Sequence, residues 1–165
     1  MGSIYEELPE VGTVLGLLEL IKDRGGKEDI YKLSGELQMD LAEMLKVIRG
    51  AELLGLVHTP GGDVVLEVTG AKMLDGDINE RKRQFNLQLR KIPIFKSVWE
   101  FLHERPEFQA TRDETLEKLA ELLPNEDAEM SFANLLNWGR YAELFGYNDD
   151  THTFYIDTGA EVAAQ

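Results

Sequence analysis

The sequence predicts a mainly α-helical chain with short β-hairpins, of the α+β class, built as two tandem winged-helix-like modules joined by a helix. Two observations predict it. Helical apolar spacing recurs three times and then gives way to a turn-rich stretch and a β-branched run, the order of a winged helix. A short motif then returns. Ala51-Glu52-Leu53-Leu54-Gly55-Leu56 reappears 91 positions later as Ala142-Glu143-Leu144-Phe145-Gly146-Tyr147, and Met44-Leu45 and Arg49 match Leu135-Leu136 and Arg140 at the same spacing. The opening helices align 81 positions apart, Val11, Val14 and Leu17 with Ile92, Phe95 and Val98, so the second half holds about ten extra residues, placed in the Pro106 to Glu129 region.

The elements follow in order. Val11 to Arg24 carries Val14, Leu17, Leu18 and Ile21 at helical spacing, and Gly25-Gly26 stops it. Lys27 to Gln38 reads as a second helix, with Ile30, Leu33 and Leu37 on one face. Asp40 is placed to cap a third, carrying Leu41, Met44, Leu45, Ile48 and Leu53 and ending near Gly55. His58 to Asp63 is dense in turn formers, Val64 to Val68 reads as a strand, and Leu56-Val57 is its expected partner. Asp77 to Lys91 reads as a helix with Ile78, Phe85, Leu89 and Ile92 on one face. Pro93 suits a first helical turn, and that helix runs to about Glu104 with Phe95, Val98, Trp99 and Leu102 apolar. Thr111 and Glu114 have the spacing of a capping box and open a helix to Leu123. Asp127 to Phe145 reads as helix and Thr153 to Asp157 as strand. The expected organisation is a first module at 8–76, a connecting helix at 77–91, a second module at 92–157 and a flexible tail at 158–165. Met1-Gly2-Ser3 has the look of an expression-vector start, which would make the chain a piece of something longer.

Composition narrows the function. The 165 residues carry 17 Lys plus Arg against 31 Asp plus Glu, a formal charge of -14. Such a chain lacks the basic stripe that displaces counterions from nucleic-acid phosphates, and an anionic membrane surface repels it. Residues 1–80 hold 7 basic and 16 acidic side chains, and residues 81–165 hold 10 and 15, so neither half escapes the imbalance. With no cysteine there is no disulfide scaffold, thiolate zinc site or cysteine nucleophile, which fits a cytoplasmic protein. No apolar run approaches the roughly 20 residues of a spanning helix.

No catalytic, cofactor or metal constellation stands out. The Gly-x-x-x-x-Gly-Lys-Ser/Thr phosphate loop and the Gly-x-Ser-x-Gly elbow are both absent. Asp149, Asp150 and His152 have ligand atoms but no zinc or calcium spacing, so they read as a polar turn. The third helices offer Lys46 and Arg49, then Asn134, Asn137 and Arg140, yet the hairpin turns carry Asp63, Asp149 and Asp150 against phosphate. The one local reversal of sign is Arg81-Lys82-Arg83 with Arg90-Lys91. It reads either as a solvated helix face or as a docking surface for an acidic partner, and Arg140 joins it as a candidate contact. Trp138-Gly139-Arg140-Tyr141 reads as a packed helix in which Gly139 permits close approach, or as an aromatic anchor.

Longer motifs carry a resemblance. Leu8-Pro9-Glu10-Val11-Gly12-Thr13-Val14-Leu15-Gly16-Leu17-Leu18-Glu19, Arg24-Gly25-Gly26-Lys27-Glu28-Asp29-Ile30-Tyr31-Lys32-Leu33, Glu80 to Phe85 and Trp138 to Phe145 resemble, in order, the C-terminal AAA-associated domain. The resemblance runs from Leu8 to Asp157. That family follows the ATPase domain of nitrate/sulfonate/taurine/bicarbonate-type ABC-transporter ATP-binding proteins. The resemblance implies a non-catalytic accessory or regulatory domain without cofactor, cytoplasmic and peripheral to the inner membrane, with the parent ATPase core or its partner subunit as the contact. The alternatives are a winged-helix DNA-binding transcription regulator and a simple dimerisation module, in which a homodimer forms.

Overall fold

The computed structural model describes residues 4–157; the expected vector start and flexible tail lie outside them. The chain divides into two compact units, one of Leu8–Arg81 and one of residues 4–7 with 82–157, the division falling inside a helix.

The first unit runs α1 Val11–Asp23, β1 Lys27–Asp29, α2 Ile30–Glu36, α3 Leu41–Leu53, β2 Val57–His58, β3 Asp63–Leu66 and α4 Val68–Asp75, then enters α5 Ile78–Leu89. Its sheet is antiparallel in the order β1-β3-β2, with Glu28 opposite Val64 and Val57 opposite Leu66. Aliphatic residues make its core: Val14, Leu17, Leu18 and Ile21 of α1, Leu33 of α2, Met44 of α3, Val64 of β3 and Met73 of α4 are all fully buried.

The second unit continues with α6 Pro93–His103, a 3-10 turn Pro106–Phe108, β4 Gln109–Thr111, α7 Arg112–Leu122, α8 Ala128–Tyr141, β5 Phe145–Asn148 and β6 Thr153–Ile156. Its sheet repeats the topology, in the order β4-β6-β5, with Ala110 opposite Phe154 and Phe145 opposite Ile156. Its core is aromatic. Phe95 stacks on Trp138 at 6.1 Å and on Phe145 at 6.3 Å, and Phe145 and Phe132 meet Phe154 edge-on at 5.0 and 5.4 Å. Phe85 of α5 sets its edge against Trp138 and Tyr141.

Several expectations need correction. Lys27 to Gln38 is not one helix: Lys27–Asp29 is a strand, and the helix begins at Ile30. Asp29 is the reason. Its carboxylate caps α2 by accepting from the amides of Tyr31 and Lys32, which requires an extended backbone at Asp29 itself (ψ 138°), and the residues before it then pair with β3. A run of Lys-Glu-Asp has no strand periodicity, only the charge that suits a sheet edge. Gln109–Thr111 is the same device in the second unit, where Thr111 caps α7. The strand after the first turn ends at Leu66, and Val68, 69% exposed, starts α4. Ile78 is 71% exposed rather than on the buried face it was expected to share with Phe85, Leu89 and Ile92. Helix α8 ends at Tyr141, four residues before Phe145.

That last difference shifts the repeat. Helix α3 closes with Gly55 N donating to Glu52 O and Leu56 N to Ala51 O, around a left-handed Gly55 (φ 72°). Helix α8 closes the same way, with Glu143 N donating to Arg140 O and Leu144 N to Gly139 O, around a left-handed Glu143 (φ 56°). The structural partner of Gly55 is therefore Glu143, 88 positions on, and not Gly146, which lies in β5. A slip of three residues keeps an apolar helical face in place, so periodicity alone does not detect it.

Candidate functional site

The basic residues were the sequence's candidate surface, and the structure gives each a separate setting. Arg81 is tied within the first unit: its guanidinium donates to the Glu19 carboxylate at 3.2 Å and to the Leu74 carbonyl at 3.1 Å. Lys82, across the division, pairs with Glu143 at 3.6 Å. Arg83 is exposed and has interactions of its own. Arg90 is half-buried with its Nε closed off from solvent and from any hydrogen-bond partner, and Lys91 is exposed beyond the end of α5. Arg140 reaches the Tyr147 carbonyl at 2.9 Å and lies over the Tyr147 ring at 5.9 Å. Arg81 and Arg140 thus each hold a backbone carbonyl, a structural duty that charge spacing does not reveal.

The acids of the two hairpins differ in setting. Asp63 meets Lys27 at 3.4 Å, and Asp149 and Asp150 are exposed. In the second turn Asn148 accepts from the amides of Asp150 and Thr151, and Tyr147 Oη meets His152 Nδ1 at 3.3 Å. His58 pairs with Glu67 at 2.6 Å, while His103 lies between the Trp99 and Phe108 rings at 4.5 and 4.7 Å. Among the described residues no group of three or more His, Cys, Asp or Glu is placed to hold a metal ion, and no helix is long and apolar enough to cross a membrane.

The third helix of the second unit is a different surface from the one its sequence suggested. Asn134, a candidate base reader, donates to the carbonyls of Tyr5 and Glu6 at 2.9 and 2.8 Å. Glu126, just before α8, has its carboxyl held above the usual range by burial, with Glu6 adding a like charge. Tyr5 is held above its ordinary value by burial and then by Glu126. Sequence reasoning missed this cluster because its partners lie more than 120 residues apart. It also missed Asn86, 4% exposed beside the fully buried Phe85, whose amide donates to the Ala142 carbonyl at 2.9 Å. A lone Asn between Phe85 and Leu89 on an apolar helix face was the available signal.

Trp138-Gly139 resolves as packing. Trp138 is fully buried, and a Cβ on Gly139 would come within 2.6 Å of the Phe145 ring. A family model described as the C-terminal AAA-associated domain matches residues 31–148, more than two thirds of the chain. No curated protein and no solved structure matches. The match begins inside α2, so the opening segment Leu8 to Ile30 lies outside it.

Proposed function

The chain belongs to the C-terminal AAA-associated domain family, and from that membership we propose that it is a non-catalytic accessory domain acting by protein contact on the ATPase subunit of an ABC importer for small anions. The family match carries the reading: a domain so described accompanies an ATPase core, and this chain has no phosphate loop of its own. The working place of such a domain is the cytoplasmic face of the inner membrane, beside its parent subunit.

Each unit is read as a winged-helix module. The order α-β-α-α-β-β and the sheet orders β1-β3-β2 and β4-β6-β5 support this. DNA binding is disfavoured by the charge of -14, by acids at both hairpin turns and by the engagement of Asn134 with backbone carbonyls. Regulation requires the domain to bind the open and closed states of the ATPase with different affinity. Of the basic candidates, Arg83 and Lys91 are the exposed ones on or just beyond α5, and reversing their charge alters coupling without disturbing the carbonyl contacts of Arg81 and Arg140.

The test is ATP hydrolysis by the assembled transporter with and without the segment from Leu8 onward, across candidate anions. A changed basal rate or a lost anion response supports regulation. Unchanged rates, responses and assembly refute it.

A further inference from the structure

Residues 4–7 form a turn in which Glu7 N donates to Ile4 O at 3.2 Å, and they cluster with the second unit although the chain passes from them directly into the first. The turn is held at its backbone by Asn134 and at its Glu6 side chain by the start of α8. Asn134 uses its amide nitrogen on the carbonyls of Tyr5 and Glu6, both acceptors within 2.9 Å, which also fixes the orientation of the amide, since its oxygen would face two carbonyl oxygens if reversed. The Glu126 carboxylate accepts from the Ser131 hydroxyl at 3.4 Å and lies close enough to Glu6 to feel its charge. The Glu6 carboxylate in turn accepts from the Asp127 amide at the start of α8, where the helix dipole favours an anion.

Three hydrogen bonds tie the turn to α8 and its N-cap. All four residues of the turn are half-buried, none belongs to the core, and the carboxylates of Glu6 and Glu126 repel one another. A segment held by a few exchangeable hydrogen bonds belongs to the low-stability end of a fold. We propose that Ile4–Glu7 is a releasable strap, an intramolecular ligand seated on α8 by Asn134 and the Asp127 amide, and that its release bares the Asn134 face of the helix. The inference does not depend on the proposed transporter role.

Amide hydrogen exchange of the full chain tests it. In the native protein the Glu7 and Asp127 amides, which donate to the Ile4 carbonyl and the Glu6 carboxylate, are protected. Asn134→Ala speeds both about tenfold, the loss expected for two net hydrogen bonds, while the amides of Leu135 to Trp138 keep their protection. Glu6→Ala does the same from the strap side, which separates release of the strap from damage to α8. An excess of a peptide of residues 3–8 displaces the strap from the native chain and speeds exchange at Glu7. Exchange at unstructured rates in the native chain, no effect of either substitution, or failure of the peptide to displace the turn each overturns the proposal. A dimer that appears as the strap exchanges overturns its intramolecular assignment.

Discussion

Asn86→Ala tests whether one buried amide closes the end of α8. The Asn86 side chain donates to the carbonyl of Ala142, the residue that ends the helix. The last four carbonyls of a helix have no intrahelical partner, and Ala142 is only 2% exposed, so water is a poor substitute. Removing the donor strands that carbonyl, at a cost of about 1–3 kcal/mol, a large share of the roughly 5–15 kcal/mol that holds a domain folded. Asn86→Asp sharpens the test. At neutral pH its carboxylate faces a carbonyl oxygen in a buried site, so it loses more than the alanine variant; when protonated it donates and recovers. Burial raises the folded-state pKa of this new carboxyl above its unfolded value. Its stabilising share is therefore fully present below the unfolded pKa and is lost as pH rises through the folded one. Urea unfolding followed by tryptophan fluorescence is the assay. The two tryptophans, Trp99 and Trp138, belong to the same unit as Asn86 and Ala142, so the signal reports the affected unit even if the other melts separately. An alanine variant within about 0.5 kcal/mol of the native protein at equal m-value, or an aspartate variant no worse than alanine at neutral pH, refutes the reasoning.

Gly139→Ala drives a Cβ to 2.6 Å from a Phe145 ring carbon already packed against Phe95 and Phe154, and is expected to cost about 1–3 kcal/mol in the same unfolding assay. Glu143→Gly relieves a left-handed residue at the end of α8, expected to gain about 1 kcal/mol less the small contribution of the exposed Lys82 pair; equal or lower urea midpoints refute that account. Strap protection depends on pH through Glu126, which faces Glu6, Tyr5 and the Ser131 hydroxyl. Because burial raises its folded-state pKa, the contribution is present in acid and is lost as pH rises through that value. Exchange at Glu7, corrected for intrinsic rate, is thus slower in acid, and Glu126→Gln weakens the dependence.

Helices whose signals are local were legible in the sequence. Asp40 caps α3 through the Glu43 amide, Pro93 opens α6, and Thr111 and Glu114 form a capping box, as their spacing indicates. The first strand of each sheet was not legible. Lys27–Asp29 and Gln109–Thr111 are three residues long and polar or small, and only pairing with distant β3 and β6 makes them strands. The motif Ala-Glu-Leu misled in a different way. In the first unit it lies inside the helix, and in the second Ala142 is already the cap, so identity of letters concealed a change of conformation. Asn134 looked like a surface reader because nothing local shows that residues 5 and 6 return to it.

The corrected register also separates the third helices of the two units. In the helices ending at Gly55 and Glu143, Lys46 and Arg49 occupy the places of Asn134 and Asn137. An amide with its two hydrogens on two carbonyls presents a fixed fork, whereas an ammonium on a flexible stem is a point charge that suits an acid. The first unit therefore lacks the side chain that grips the strap, and its α3 keeps Leu45 40% exposed beside these two cations. A partner that used both units alike would need the same chemistry on both third helices, and the sequence supplies it on neither pair of positions. The two units share a sheet order and the geometry of these helix ends. The two third helices differ at these positions, so the seating of the strap is a feature of α8 alone and is open to substitution at Asn134.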